Sequence, residues 1–141
     1  MMSTATQFLA ERKALLREFQ AVVGMMNRNG VSILAGTDLA AEYIYPGFSL
    51  HDELGMLVES GLSPVEAVQA ATRNAARLFP KLEAGTIGVG KRADLVLLDA
   101  NPLEDIRNTQ RIRAVILRGR LLDRNDLDQL LNHAARLAQG N

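Results

Sequence analysis

Val31-Ser32-Ile33-Leu34-Ala35-Gly36-Thr37-Asp38 sets a short apolar run between glycines and places a carboxylate directly behind it. The run follows a long amphipathic segment, so the chain reverses direction within a few residues of Gly30. That pattern predicts a helix feeding a short buried strand of the parallel kind. Gly36-Thr37-Asp38 would then lie at the carboxyl end of the strand, where the loops of α/β sheets and barrels gather their ligands. Aspartate after glycine is also ordinary turn chemistry. Spacing alone therefore leaves Asp38 open between a turn residue and a working carboxylate.

Upstream, Phe8, Leu9, Leu15, Leu16, Phe19, Val22, Val23 and Met26 recur at three- and four-residue steps and predict one helix from about Ser3 to Asn29. Its polar face mixes both signs of charge, as a core-facing helix does, and Asn29-Gly30 supplies a left-handed stop. Downstream, Leu39 to Phe48 reads as a loop. Ser49 can cap a following helix with Asp52 in the capping-box position, and Leu50, Leu54, Leu57 and Val58 form its buried face up to Gly61. Ser63-Pro64-Val65-Glu66 is a stronger helix start, combining a hydroxyl cap, a first-turn proline and a glutamate to close the box. Val65, Val68, Ala71, Ala75 and Leu78 continue at helical spacing until Pro80.

Beyond Pro80 to Gly85 the character changes from helix-rich to strand-rich. Asp94 to Asp99 and Ile112 to Leu117 read as strands, with Gly119 turning the second into Leu121-Leu122. Leu127, Leu130, Leu131, Ala134 and Leu137 mark a closing amphipathic helix from about Asn125. Gly85 to Lys91 nearly spells a phosphate-binding loop, but Arg92 stands where a hydroxyl would reach magnesium. Gly88 to Ala93 also fits a loose dinucleotide fingerprint. Both motifs need a helix immediately after the glycines, and here a strand follows. These are read as turn glycines.

Sixteen basic and sixteen acidic residues cancel, which removes the charge bias expected of a nucleic-acid or anionic-membrane binder. Hydrophobic content of 48% with 23% charged residues is that of a globular chain. The absence of cysteine rules out disulfide scaffolds and thiolate metal sites. No apolar run is long enough for a membrane span, and the polar start from Met1 to Thr6 lacks a signal-peptide core. The expectation is a cytoplasmic chain with no nucleic-acid or membrane partner.

There are two histidines. His133 falls on the edge of the last helical stripe and reads as a solvated residue. His51 sits in the first turn of a predicted helix. His51-Asp52-Glu53 looks like a ligand cluster, but consecutive helical residues point in different directions. Capping or loop packing is the stronger reading of His51.

Several stretches, taken in order, resemble the C-terminal part of metal-dependent amidohydrolases, in particular the imidazolonepropionase-like and prolidase-like branch. They are Ala35-Gly36-Thr37-Asp38, Pro46 to Leu54, Gly61 to Ala67, Ala71 to Ala76 and Gly85 to Asp99. The resemblance implies an α/β chain that is the C-terminal fragment of a (β/α)8 TIM-like barrel, holding its last strand and flanking helices, with part of a small β-sandwich and a C-terminal helix. It implies a barrel portion at residues 1–80, a sandwich portion at 81–124 and the closing helix at 125–141. Val31 to Ala35 would be the eighth barrel strand.

In such enzymes the aspartate matching Asp38 binds a divalent metal, zinc above all, and handles protons. It accepts a proton from metal-bound water during attack on a carbonyl and returns it to the departing nitrogen. Thr37 and His51 would lie near the pocket and support it. The substrate would be a small amide or dipeptide. The family's His-x-His pair of the first strand, its strand-four lysine or glutamate and its later histidines have no counterpart in this sequence. One carboxylate cannot hold a catalytic metal against water. This chain is therefore expected to bind no metal stably and to be inactive alone, as a portion lacking its N-terminal part or as a self-associating module.

Overall fold

The computed structural model describes residues 4–38, 41–79 and 83–140. Helix α1 (Thr4–Arg28) is followed by an irregular segment, then by α2 (Ser49–Glu59), α3 (Pro64–Gln69) and one π-helical turn (Ala70–Asn74). Strand β1 (Leu95–Leu98), a 3-10 helix (Ile106–Gln110), β2 (Ile112–Leu117), β3 (Arg120–Leu122) and α4 (Arg124–Ala138) complete the order. The fold is mixed α/β, helical first and then stranded, with the change in character where the glycines begin.

Helix α1 ends as its sequence dictates. Asn29 Nδ2 donates to Met25 O at 2.8 Å, and Gly30 takes φ 79°. Its apolar stripe, however, is not a core face. Phe8, Leu9, Leu15, Leu16, Phe19, Val22 and Met26 are exposed, and only the last turns dock, through half-buried Val23 and buried Gly24. A Cβ on Gly24 would stand 2.1 Å from Ser60 O, so glycine lets α1 approach the end of α2 this closely. A Gln20 to Glu59 hydrogen bond at 3.1 Å ties the same crossing, and an Asn27 to Glu66 bond at 3.3 Å ties α1 to α3.

Helix α2 departs from the expected cap. Phe48 occupies the N-cap with no side-chain hydrogen bond, and Ser49 is the first helical residue. Its hydroxyl is already committed, accepting from Tyr45 N at 2.8 Å, so Asp52 closes no box. The Ser63–Glu66 capping box of α3 forms in both directions, with Pro64 in the first turn. Past Gln69 the helix widens into the π turn, where Thr72 Oγ1 donates back to Val68 O at 2.7 Å. The wider turn shifts the register of the residues that follow it. Ala67 and Ala70 are the fully buried positions, while Val65 and Leu78 are exposed. The predicted helix end at Pro80, the loop start at Leu39 and the helix start at Ser3 lie outside the described residues.

One small core unites these elements. Leu54 and Leu57 of α2, Leu62, Ala67, Ala70 and Ile106 are buried together, with Ile33 and Ala35 packed against them. Val31 to Ala35 contributes to this core without being a strand. A strand needs a neighbouring ladder, and among the described residues the sheet is β1-β2-β3, antiparallel throughout and made by the other half of the chain. The run is instead pinned by the helices. Asn74 Nδ2 donates to Ile33 O at 3.0 Å, and Ala35 N donates to Ala70 O at 3.2 Å.

β1 pairs with β2 as Leu95 to Ile116 through Leu98 to Ile112, with a bulge after Leu97. Arg118 and Gly119, at φ 50° and 81°, make the two-residue turn into β3 that right-twisted strands favour. Asp94 Oδ1 accepts from Arg118 N at 2.7 Å and locks that turn. The glycine-rich stretch is turn structure, with Gly85 and Gly90 at φ 82° and 79°. It runs into β1 rather than into a helix. Helix α4 starts one residue before Asn125 with an Asp123–Asp126 capping box, and none of its residues is buried. No helix among the described residues is long and apolar enough to cross a membrane.

Candidate active site

Asp38 stands at the end of the pinned run and adopts φ 55°. For a residue with a Cβ this left-handed region is uncommon, and aspartate is among the few that enter it. Its carbonyl accepts from Ala41 N at 3.0 Å, closing a turn, while its carboxylate is on the exposed side. Thr37 beside it is half-buried. The chain immediately before is fixed by a residue that spacing did not single out. Glu53 Oε1 accepts from Gly36 N at 2.7 Å, reaching across from α2.

The signal for Glu53 was present in the pattern. With buried Leu54 and Leu57 it lies on the inward side of α2, so a carboxylate sits among apolar core positions, while Leu50, expected on that face, is exposed. Its second oxygen, Oε2, is buried without a hydrogen-bond partner among the described residues.

His51 faces a different neighbour. Its Nδ1 lies 3.0 Å from Thr109 Oγ1, in the 3-10 helix. Thr109 is buried and spends its one hydroxyl proton on Ile106 O at 2.8 Å. The hydroxyl can therefore only accept from the ring, which fixes His51 with its proton on Nδ1 and a lone pair on Nε2. Burial pushes the ring's pKa below the ordinary 6.5, partly opposed by the Asp52 carboxylate. His51 thus joins the helical half to the segment leading into β2. No hydrogen bond links it to Asp38 among the described residues. His133 is solvated on α4, bordering an open groove with Arg120 and Arg136.

The donor set does not suit a metal by itself. Among the described residues no three histidine, cysteine, aspartate or glutamate side chains converge as a metal site would require. Asp38 is one donor without companions.

The profile of the Amidohydrolase family matches residues 4–122. Adenine deaminase 2 of Rhizobium johnstonii is 35% identical over 112 residues, which is 79% of this chain and 18% of that protein. Ochratoxinase of Aspergillus niger is 38% identical over 103 residues, covering 71% of this chain and 20% of that one. A solved Xaa-Pro dipeptidase with methionine bound in its active site superposes with a TM-score of 0.66 at 32% identity, over 74% of this chain and 25% of that one. The chain belongs to the amidohydrolase family. The chain spans about a fifth of the length of the curated relatives it matches.

Proposed function

We propose that this chain is the C-terminal portion of a metal-dependent hydrolase acting on carbon–nitrogen bonds of small amides, peptides or cyclic amides. Asp38 is its metal-binding, proton-handling carboxylate. The observation that carries the reading is the placement of Asp38, with an exposed carboxylate on a left-handed backbone at the end of a run fixed by Asn74, Ala70 and Glu53. A carboxylate that must take up and return a proton needs such a fixed base and an open face. Thr37 flanks it, and His51 steadies α2 through Thr109. In this reading residues 1–80 belong to the barrel, with Val31 to Ala35 in the eighth-strand position, 81–124 to the sandwich and 125–141 to the closing helix. The compartment is the cytoplasm.

The metal, zinc by analogy with the family, needs ligands that this chain does not assemble, so the chain is inactive alone. Purified protein supplied with zinc or manganese should show no turnover of dipeptides or cyclic amides. Metal-dependent turnover that disappears in Asp38→Asn would overturn the inactivity while supporting the residue's role.

A second reading is a non-catalytic module derived from the same fold that pairs with itself or another chain. The exposed faces of α1 and α4 favour it, since Phe8, Phe19, Leu130 and Leu137 are each more than half exposed. Light scattering tests it. A stable monomer with cooperative unfolding would count against self-association and equally against dependence on missing strands.

A further inference from the structure

We propose that Glu53 is a positioning residue of the candidate active site, holding Gly36 N–H so that the Gly36-Thr37-Asp38 turn keeps the placement seen here. The proposal rests on the reading of Asp38 as the working carboxylate. Three ties anchor the run. Asn74 to Ile33 O and Ala35 N to Ala70 O hold its earlier part, and the Glu53 bond to Gly36 N, at 2.7 Å, is the last before Asp38. On the far side the next restraint is the turn closed by Ala41 N on Asp38 O. The left-handed backbone of Asp38 (φ 55°) is therefore held between a carboxylate clamp on one side and a turn on the other. Such a conformation persists only where its surroundings over-determine it.

The choice of residue argues for position rather than packing. Glu53 lies on the side of α2 that carries buried Leu54 and Leu57, where an apolar side chain would bury without desolvating a charge. Its Oε2 is buried and unpartnered among the described residues, so the carboxylate is not used to satisfy two donors. What it gives is one short, charge-assisted acceptor for one backbone N–H. That acceptor serves the turn carrying Asp38.

Amide hydrogen exchange on the whole chain tests this. In Glu53→Ala, exchange at Gly36, whose amide donates to Glu53, should quicken by about tenfold or more, the loss expected for a hydrogen bond to a charged acceptor. The amides of Leu57 and Ala67 should keep their rates. Glu53→Gln, which retains an acceptor oxygen, should restore most of the protection. Unchanged exchange at Gly36 in Glu53→Ala overturns the proposal, as does equal acceleration throughout the core. If Glu53→Ala does not fold, the Gly36 amide proton resonance decides. It should lie downfield in the native chain, as a short charge-assisted bond requires, and a native Gly36 amide at the position of an unbonded one sinks the clamp. None of these readouts depends on turnover, so failure of Glu53 and failure of Asp38 are told apart.

Discussion

His51 donates its Nδ1 proton to Thr109 Oγ1 across 3.0 Å, and Thr109 passes its own proton to Ile106 O. This short chain is the polar link between α2 and the segment that enters the sheet. Its consequence is a pH dependence. Burial lowers the folded pKa of His51 below 6.5, while in the unfolded chain the ring titrates at its ordinary value. As pH falls through 6.5 the unfolded state takes up the proton first, so stability declines until the folded ring is protonated too. The native chain should lose urea resistance between pH 7 and pH 5 more steeply than His51→Gln. Parallel slopes for the two proteins would contradict it. At pH 7, His51→Ala should cost about 1 kcal/mol through the lost hydrogen bond.

Two helical glycines should respond in opposite directions. Alanine normally favours a helix over glycine by about 0.8–1.0 kcal/mol. At Gly55 a Cβ meets nothing within 4 Å, so Gly55→Ala should stabilise by about that amount. At Gly24 the Cβ would meet Ser60 O at 2.1 Å, a backbone atom that cannot swing aside. Gly24→Ala should destabilise by about 1–3 kcal/mol, as overpacking does. Chemical denaturation of both variants checks the pair, and a stabilised Gly24→Ala would mean that α1 does not cross α2 as described.

The glycine-rich stretch should not bind nucleotides. Gly85 and Gly90 are turn residues, and a strand follows them rather than a helix whose N-terminus could face a phosphate. Calorimetric titration with ATP or NAD should give no saturable heat. Micromolar binding lost on Lys91→Ala would reverse this.

Much of this arrangement is legible in residue order, because it is local chemistry. The α3 start, the hairpin at Gly119 and the α4 start follow from residues within a few positions of each other. What failed depends on distant partners. Val31 to Ala35 has strand composition, but a strand exists only with a neighbour, and here helices hold the run instead. The stripe of α1 predicts burial by periodicity, yet periodicity cannot say whether anything lies against it. Val65 and Leu78 fall on the helical stripe yet are exposed, while Ala67 and Ala70 are buried, because the residues they pack against, Leu54, Leu57 and Ile106 among them, come from distant parts of the chain. At the candidate site spacing leaves Asp38 open between a turn residue and a working carboxylate, and only the family resemblance favours the second. Glu53 is visible as a carboxylate on the inward side of α2, but its role is not, since Gly36 lies seventeen residues away and only the fold brings the two together.

The most direct test of the central claim supplies the missing ligands and asks what Asp38 does. The matching segment of the Xaa-Pro dipeptidase that superposes on this chain would be replaced by residues 31–122, and dipeptide hydrolysis measured with and without Asp38→Asn. The chimera should hydrolyse dipeptides, and kcat should fall by about 10²- to 10⁴-fold on that substitution, the range for loss of a general acid–base group. An active chimera indifferent to Asp38→Asn would contradict it.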